Sequence, residues 1–162
     1  MALFVGRLSF HAKAHPFPMY VALEEAARQT RIQVHLIQAG WFASDFIEGA
    51  FKEGAARWCP SVGASFLDGR DADARADAWA AADLFVSLSD NIQESFGLTP
   101  VEAMAAGLPC VVSDWDGYKD TVRDGVDGFR VPTVAPPRGL GTDLALRFAA
   151  GIDDYDRYIG RA

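Results

Sequence analysis

Short apolar stretches alternate with helix-patterned ones along the chain, and this alternation leaves few architectures open. Residues 3–8, 32–38, 62–67, 84–89, 110–113 and 128–131 read as strands. Between them, 19–30, 44–58, 71–82, a stretch opening near Thr99 and a short one near 118–123 read as helices. The helical face of 19–30 carries Tyr20, Leu23, Ala26 and Ala27, and that of 44–58 carries Phe46, Ile47, Ala50 and Phe51. Continuous apolar strands, as opposed to alternating ones, are buried on both sides. Strands joined through helices pair in parallel, because a parallel partner needs a long crossover. The expected fold is α/β, a parallel sheet with helices on both faces. Ligands of such sheets sit outside the carboxyl ends of the strands. That rule gathers Arg7, residues 67–69, residues 89–96 and Ser113-Asp114 along one edge.

Composition removes several function classes. The 162 residues suffice for one domain with a proper core, and 50% hydrophobic with 23% charged residues is ordinary for a globular chain. A net charge of −7 argues against a nucleic-acid partner, which selects a basic face. Cys59 and Cys110 lie in apolar surroundings without a C-x-x-C spacing and read as reduced core thiols of a cytosolic protein. The start, Met1-Ala-Leu-Phe-Val-Gly-Arg7, lacks the features of a signal peptide, and no apolar run is long enough to span a bilayer. Neither a P-loop nor a G-x-G-x-x-G fingerprint occurs, nor do H-E-x-x-H or G-x-S-x-G.

The densest signal is Glu94-Ser-Phe-Gly-Leu-Thr-Pro-Val-Glu102, continued by Ala103-Met-Ala-Ala-Gly-Leu-Pro109. Gly97 permits a sharp turn. Thr99, Pro100 and Glu102 match a capping box with proline at the first helical position, and Gly107 and Pro109 stop the helix. Amides of Phe96, Gly97 and Leu98 at the helix start favour an anion. From spacing alone two readings stand: Glu102 caps a helix and Glu94 is a solvated loop charge, or the pair brackets a binding site.

This segment resembles the signature of GT-B-fold retaining glycosyltransferases of the glycogen-synthase and sucrose-synthase type (group 1). Gly6-Arg7-Leu8 with Lys13 is similar to the family's G-R-L…K element, although Lys13 is followed by Ala14 where the family has glycine. The resemblance covers residues 3–131. It implies a Rossmann-like sheet, the C-terminal half of a GT-B fold, binding a nucleoside diphosphate sugar with no other cofactor. By position, Glu94 would meet donor-sugar hydroxyls and Glu102 the ribose. The amides of Phe96, Gly97 and Leu98 would hold phosphate, and Arg7 and Lys13 would stabilise the leaving diphosphate. Phe66 and Leu67, with Asp68-Gly69, would lay backbone groups against the base. The family retains anomeric configuration. Implied partners are the donor, a carbohydrate or lipid-linked acceptor and an N-terminal domain of the same enzyme. The implied location is cytoplasmic, or peripheral to the inner face of the membrane. Other GT-B outcomes are epimerisation, phosphorolysis or binding without catalysis.

Organisation is read as residues 1–133, the nucleotide-sugar-binding unit, and 134–162, a loop and a helix restarting at Leu144. A buried strand at the very start and a helix running out at Ala162 suggest a fragment lacking the acceptor domain, inactive alone. Two further patterns invite a metal reading. Asp114-Trp-Asp116 spells D-x-D, but it falls where the resembled family has a metal-free loop, with Trp115 and Tyr118 facing an acceptor or another domain. His11 and His15 lack a third ligand nearby. No metal is expected. Asn91 and Gln93 either touch sugar or acceptor or make the turn, and His35 is a core or edge residue.

Overall fold

The computed structural model of the protein describes residues 1–10, 12–89, 94–134, 139 and 141–153. Strands β1 (Ala2–Val5), β2 (His35–Gly40), β3 (Gly63–Asp68), β4 (Leu84–Ser87), β5 (Cys110–Ser113) and β6 (Gly128–Val131) form one sheet. The order is β3-β2-β1-β4-β5-β6, and every pairing is parallel. This is the doubly wound, Rossmann-like order, with its reversal between β1 and β4.

The period of two along β1 explains both cores. Ala2 and Phe4 join a cluster with Leu36, Val86 and Met19, Tyr20, Leu23 and Ala27 of α1 (Phe17–Thr30), and with Phe51 and Ala55 of α2 (Asp45–Trp58). Leu3 and Val5 point the other way. They join Ile37, Ala39, Phe85, Cys110 and Val112 under Ala78 of α3 (Ala72–Ala81), Ala103 of α4 (Leu98–Ala105) and Tyr118 and Val122, the first in α5 (Asp116–Thr121) and the second just after it. Helices therefore cover both faces, as the strand composition required.

Helix starts follow local chemistry. Ser44 caps α2 by accepting from the Ile47 amide at 3.4 Å, and Asp71 caps α3 by accepting from Asp73 and Ala74 at 2.9 and 3.2 Å. Several sequence expectations shift. Phe46 is 80% exposed: the inward stripe of α2 is Ile47, Phe51 and Ala55, and Phe46 falls off it. Ala26 is exposed, and Ile32 lies before β2 and faces solvent. The last described helix is α6 (Thr142–Ala149), two residues earlier than read from Leu144, with no buried residue; 154–162 lie outside the described residues.

Candidate functional site

The strand order reverses between β1 and β4, so the loops leaving their carboxyl ends diverge and open a crevice there. Lys13 from the first loop and Glu94 from the second meet in it, forming an ion pair across 81 positions of sequence. Each side chain is 14% exposed. A pair this sheltered, yet still reached by solvent, is screened less than a surface pair.

Ser89, fully buried, lies beneath the pair. Its hydroxyl donates to the Lys13 carbonyl oxygen at 2.7 Å and lies 3.4 Å from Glu94 Oε2. The Ser89 carbonyl in turn accepts from the Ser113 hydroxyl at the end of β5. The sequence placed both serines on this edge, but nothing in it distinguished a bracing hydroxyl from any other.

Next to the pair, the chain turns into α4. The residue before the helix is Gly97, in the left-handed region (φ +74°), and a Cβ there would stand 2.3 Å from the Tyr118 ring. Gly117 is as tight against the other side of the turn: its Cβ would meet the Phe96 backbone at 2.5 Å. Tyr118 is completely buried and shares a 2.8 Å hydrogen bond with Ser87. It therefore does not face an acceptor or another domain, as the sequence suggested; it is the floor under the turn. Trp115 is half-buried.

The capping box does not form. Gly97 bends the chain early enough for α4 to begin at Leu98, so Thr99 is the second helical residue and makes no capping bond. Its Oγ1 is buried without a hydrogen-bond partner among the described residues. Glu102 is thereby freed from a capping role and sits exposed one turn into α4. The amides opening the helix are those of Leu98 and Thr99, since Pro100 has none, and helix-opening amides have no partner within the helix. Phe96 and Leu98 expose their side chains at this rim, at 59% and 65%.

Arg7 is exposed two residues past β1, on the same edge. Phe66 and Leu67 are not part of the cluster. They lie on β3, two strand spacings from β1, or about 10 Å. Phe66 packs among Phe42 and the α1/α2 core, Leu67 in the opposite core. At the β3 end the Gly69 amide donates to Gly40 at 2.9 Å, and its carbonyl accepts from Arg75 at 2.9 Å. Asp68 is held by a bidentate bond from Arg70, which lowers its pKa to about 2.

Asp114 lies 3.6 Å from Arg130 Nε, and Asp116 heads α5 with φ +36°. Among the described residues no three His, Cys, Asp or Glu side chains converge to hold a metal. His15 accepts from the Phe17 amide at 3.2 Å, and His35 bonds Ser65 at 2.8 Å at the foot of β2. His11, Asn91 and Gln93 lie outside the described residues.

Compared with known families, residues 1–144 match the family described as glycosyl transferases group 1. The chain belongs to that family. A phosphatidyl-myo-inositol mannosyltransferase of Mycobacterium tuberculosis is 43% identical over 97 residues, 58% of this chain and 25% of that protein. A D-inositol 3-phosphate glycosyltransferase of Geodermatophilus obscurus is 34% identical over 141 residues, 80% of this chain and 29% of that protein. The chain thus spans under a third of the length of these relatives. The crystal structure of Anabaena HepE in complex with UDP superposes with a TM-score of 0.61 at 21% identity, over 98% of this chain and 42% of that one. That likeness is one of fold. No helix among the described residues is long and apolar enough to cross a membrane.

Proposed function

We propose that this chain is the donor-binding half of a retaining glycosyltransferase, holding a nucleoside diphosphate sugar for transfer to a carbohydrate or lipid-linked acceptor. The observation that carries this reading is the meeting of Lys13 and Glu94 at the β1/β4 switch point, beside a glycine-turned helix start.

The Leu98 and Thr99 amides and the positive end of α4 receive the diphosphate. Lys13 and Arg7 bring positive charge to the leaving group, where charge grows as the glycosidic bond breaks. Glu94 accepts from donor-sugar hydroxyls and Glu102 from the ribose. Donor binding exchanges the partners of the ion pair: phosphate takes Lys13, and sugar hydroxyls take Glu94. Both carboxylates act by placing the donor, an effective-concentration contribution. The base lies toward the end of β3, where Asp68 and Gly69 are already bonded within the protein and the β3 backbone edge is left to meet it. The UDP held by HepE, on the same fold, supports a nucleotide-sugar site. The relatives' names favour an inositol-containing acceptor for the complete enzyme. A second domain supplies the acceptor side of the cleft, and its closure excludes water.

Calorimetric titration with UDP, GDP and ADP, without added metal, tests the site. One diphosphate binds best, and Arg7→Ala and Glu102→Ala each weaken it about 10-fold, the loss of roughly one charge-assisted hydrogen bond. Unchanged affinity in both variants overturns the assignment.

A further inference from the structure

We infer that Ser89 is a positioning residue of the donor site, setting Lys13 and Glu94 in place without touching the donor; this rests on the reading of that site given above. Ser89 follows β4 by two residues and is fully buried. Two loops and the end of β5 converge on it. Its hydroxyl holds the Lys13 carbonyl from the β1 loop at 2.7 Å, its carbonyl is held by Ser113 from the end of β5, and Glu94 of its own loop lies 3.4 Å away.

A serine hydroxyl has one proton to donate. The shorter contact takes it, so Ser89 fixes the backbone from which Lys13 springs and leaves the Glu94 carboxylate to Lys13 and to ligand. Among the described residues between β1 and α1, none lies in a helix or named strand, and the position of a loop side chain depends on what ties its backbone. A site of this kind is only as precise as the groups supporting its contacting side chains. The bond to the Lys13 main chain is such a support. The Ser113 bond anchors Ser89 itself to the sheet.

The test uses two readouts on the folded protein. In Ser89→Ala, reductive methylation of Lys13, followed by mass spectrometry, speeds up several-fold. Methylation of Lys52, which is paired with Glu48 on the outer face of α2, stays at the wild-type rate. Affinity for the diphosphate that binds best among UDP, GDP and ADP falls about 5–10-fold, one buried hydrogen bond's worth. In a Lys13→Met background the same substitution changes affinity less than about twofold, because its effect passes through Lys13. Ser113→Ala, which loosens Ser89 from its other side, moves both readouts in the same direction and replaces Ser89→Ala if that variant does not fold. Wild-type labelling of Lys13 in a folded variant overturns the inference, as does an equal loss of affinity with and without Lys13. If Lys13→Met leaves affinity untouched, the donor-site reading fails instead, and the labelling rates still decide the role of Ser89.

Discussion

Thr99 occupies the second position of α4 with its hydroxyl buried and, among the described residues, unbonded. A capping threonine loses about 1–2 kcal/mol on truncation to alanine. A buried hydroxyl without a partner gives the opposite balance: removing it relieves a desolvation cost, and alanine is the better helix former. Thr99→Ala is therefore neutral or stabilising by up to about 1 kcal/mol in urea unfolding. A loss of capping size would restore the capping box. The residue-scale lesson of this site is that Gly97, not Thr99, sets where the helix begins. Its left-handed backbone and the Tyr118 ring behind it admit no side chain.

At the scale of elements, the turn from α5 into β6 is clamped by Arg123 and Asp127. The Arg123 guanidinium donates to both carboxylate oxygens at 2.7 and 2.6 Å, and its amide adds a third bond at 3.0 Å. These hydrogen bonds, with the guanidinium's charge, hold the Asp127 carboxyl down at about 2. An unfolded aspartate titrates near 3.9. The folded value is the lower one, so the clamp's contribution is fully present above about pH 4 and is lost as pH falls toward about 2. Asp127→Asn should remove that part of the acid dependence: the stability difference between wild type and variant shrinks across this window and is flat above pH 5. A difference that stays constant down to pH 2 would show that the clamp adds nothing.

Over the whole molecule, Cys59 and Cys110 mark the two cores, one on each face of the sheet. Both are free and buried, and burial pushes both thiols up to about 11. They stay protonated and unreactive at neutral pH, so Ellman's reagent should modify both at one rate, set by global unfolding. A faster rate at one cysteine would show that its face opens by itself. Both cores were legible in the sequence: runs such as Leu3-Phe-Val and Cys110-Val-Val between amphipathic helices leave a parallel, doubly covered sheet as the way to bury them. The family signature was legible too, because residues 94–109 are contiguous and their chemistry is local. What tertiary structure alone decided lies in contacts between distant loops. Lys13 finds Glu94 only because the strand order places β1 beside β4, and Ser89 and Ser113 become a brace only once β4 and β5 are neighbours. Tyr118 is a floor and not a docking residue because α5 folds back under Gly97. Phe46 points outward because the phase of α2 is fixed by Phe51 and Ala55 meeting the sheet. Periodicity reports which residues share a face; which faces meet is set by packing between elements far apart in the chain.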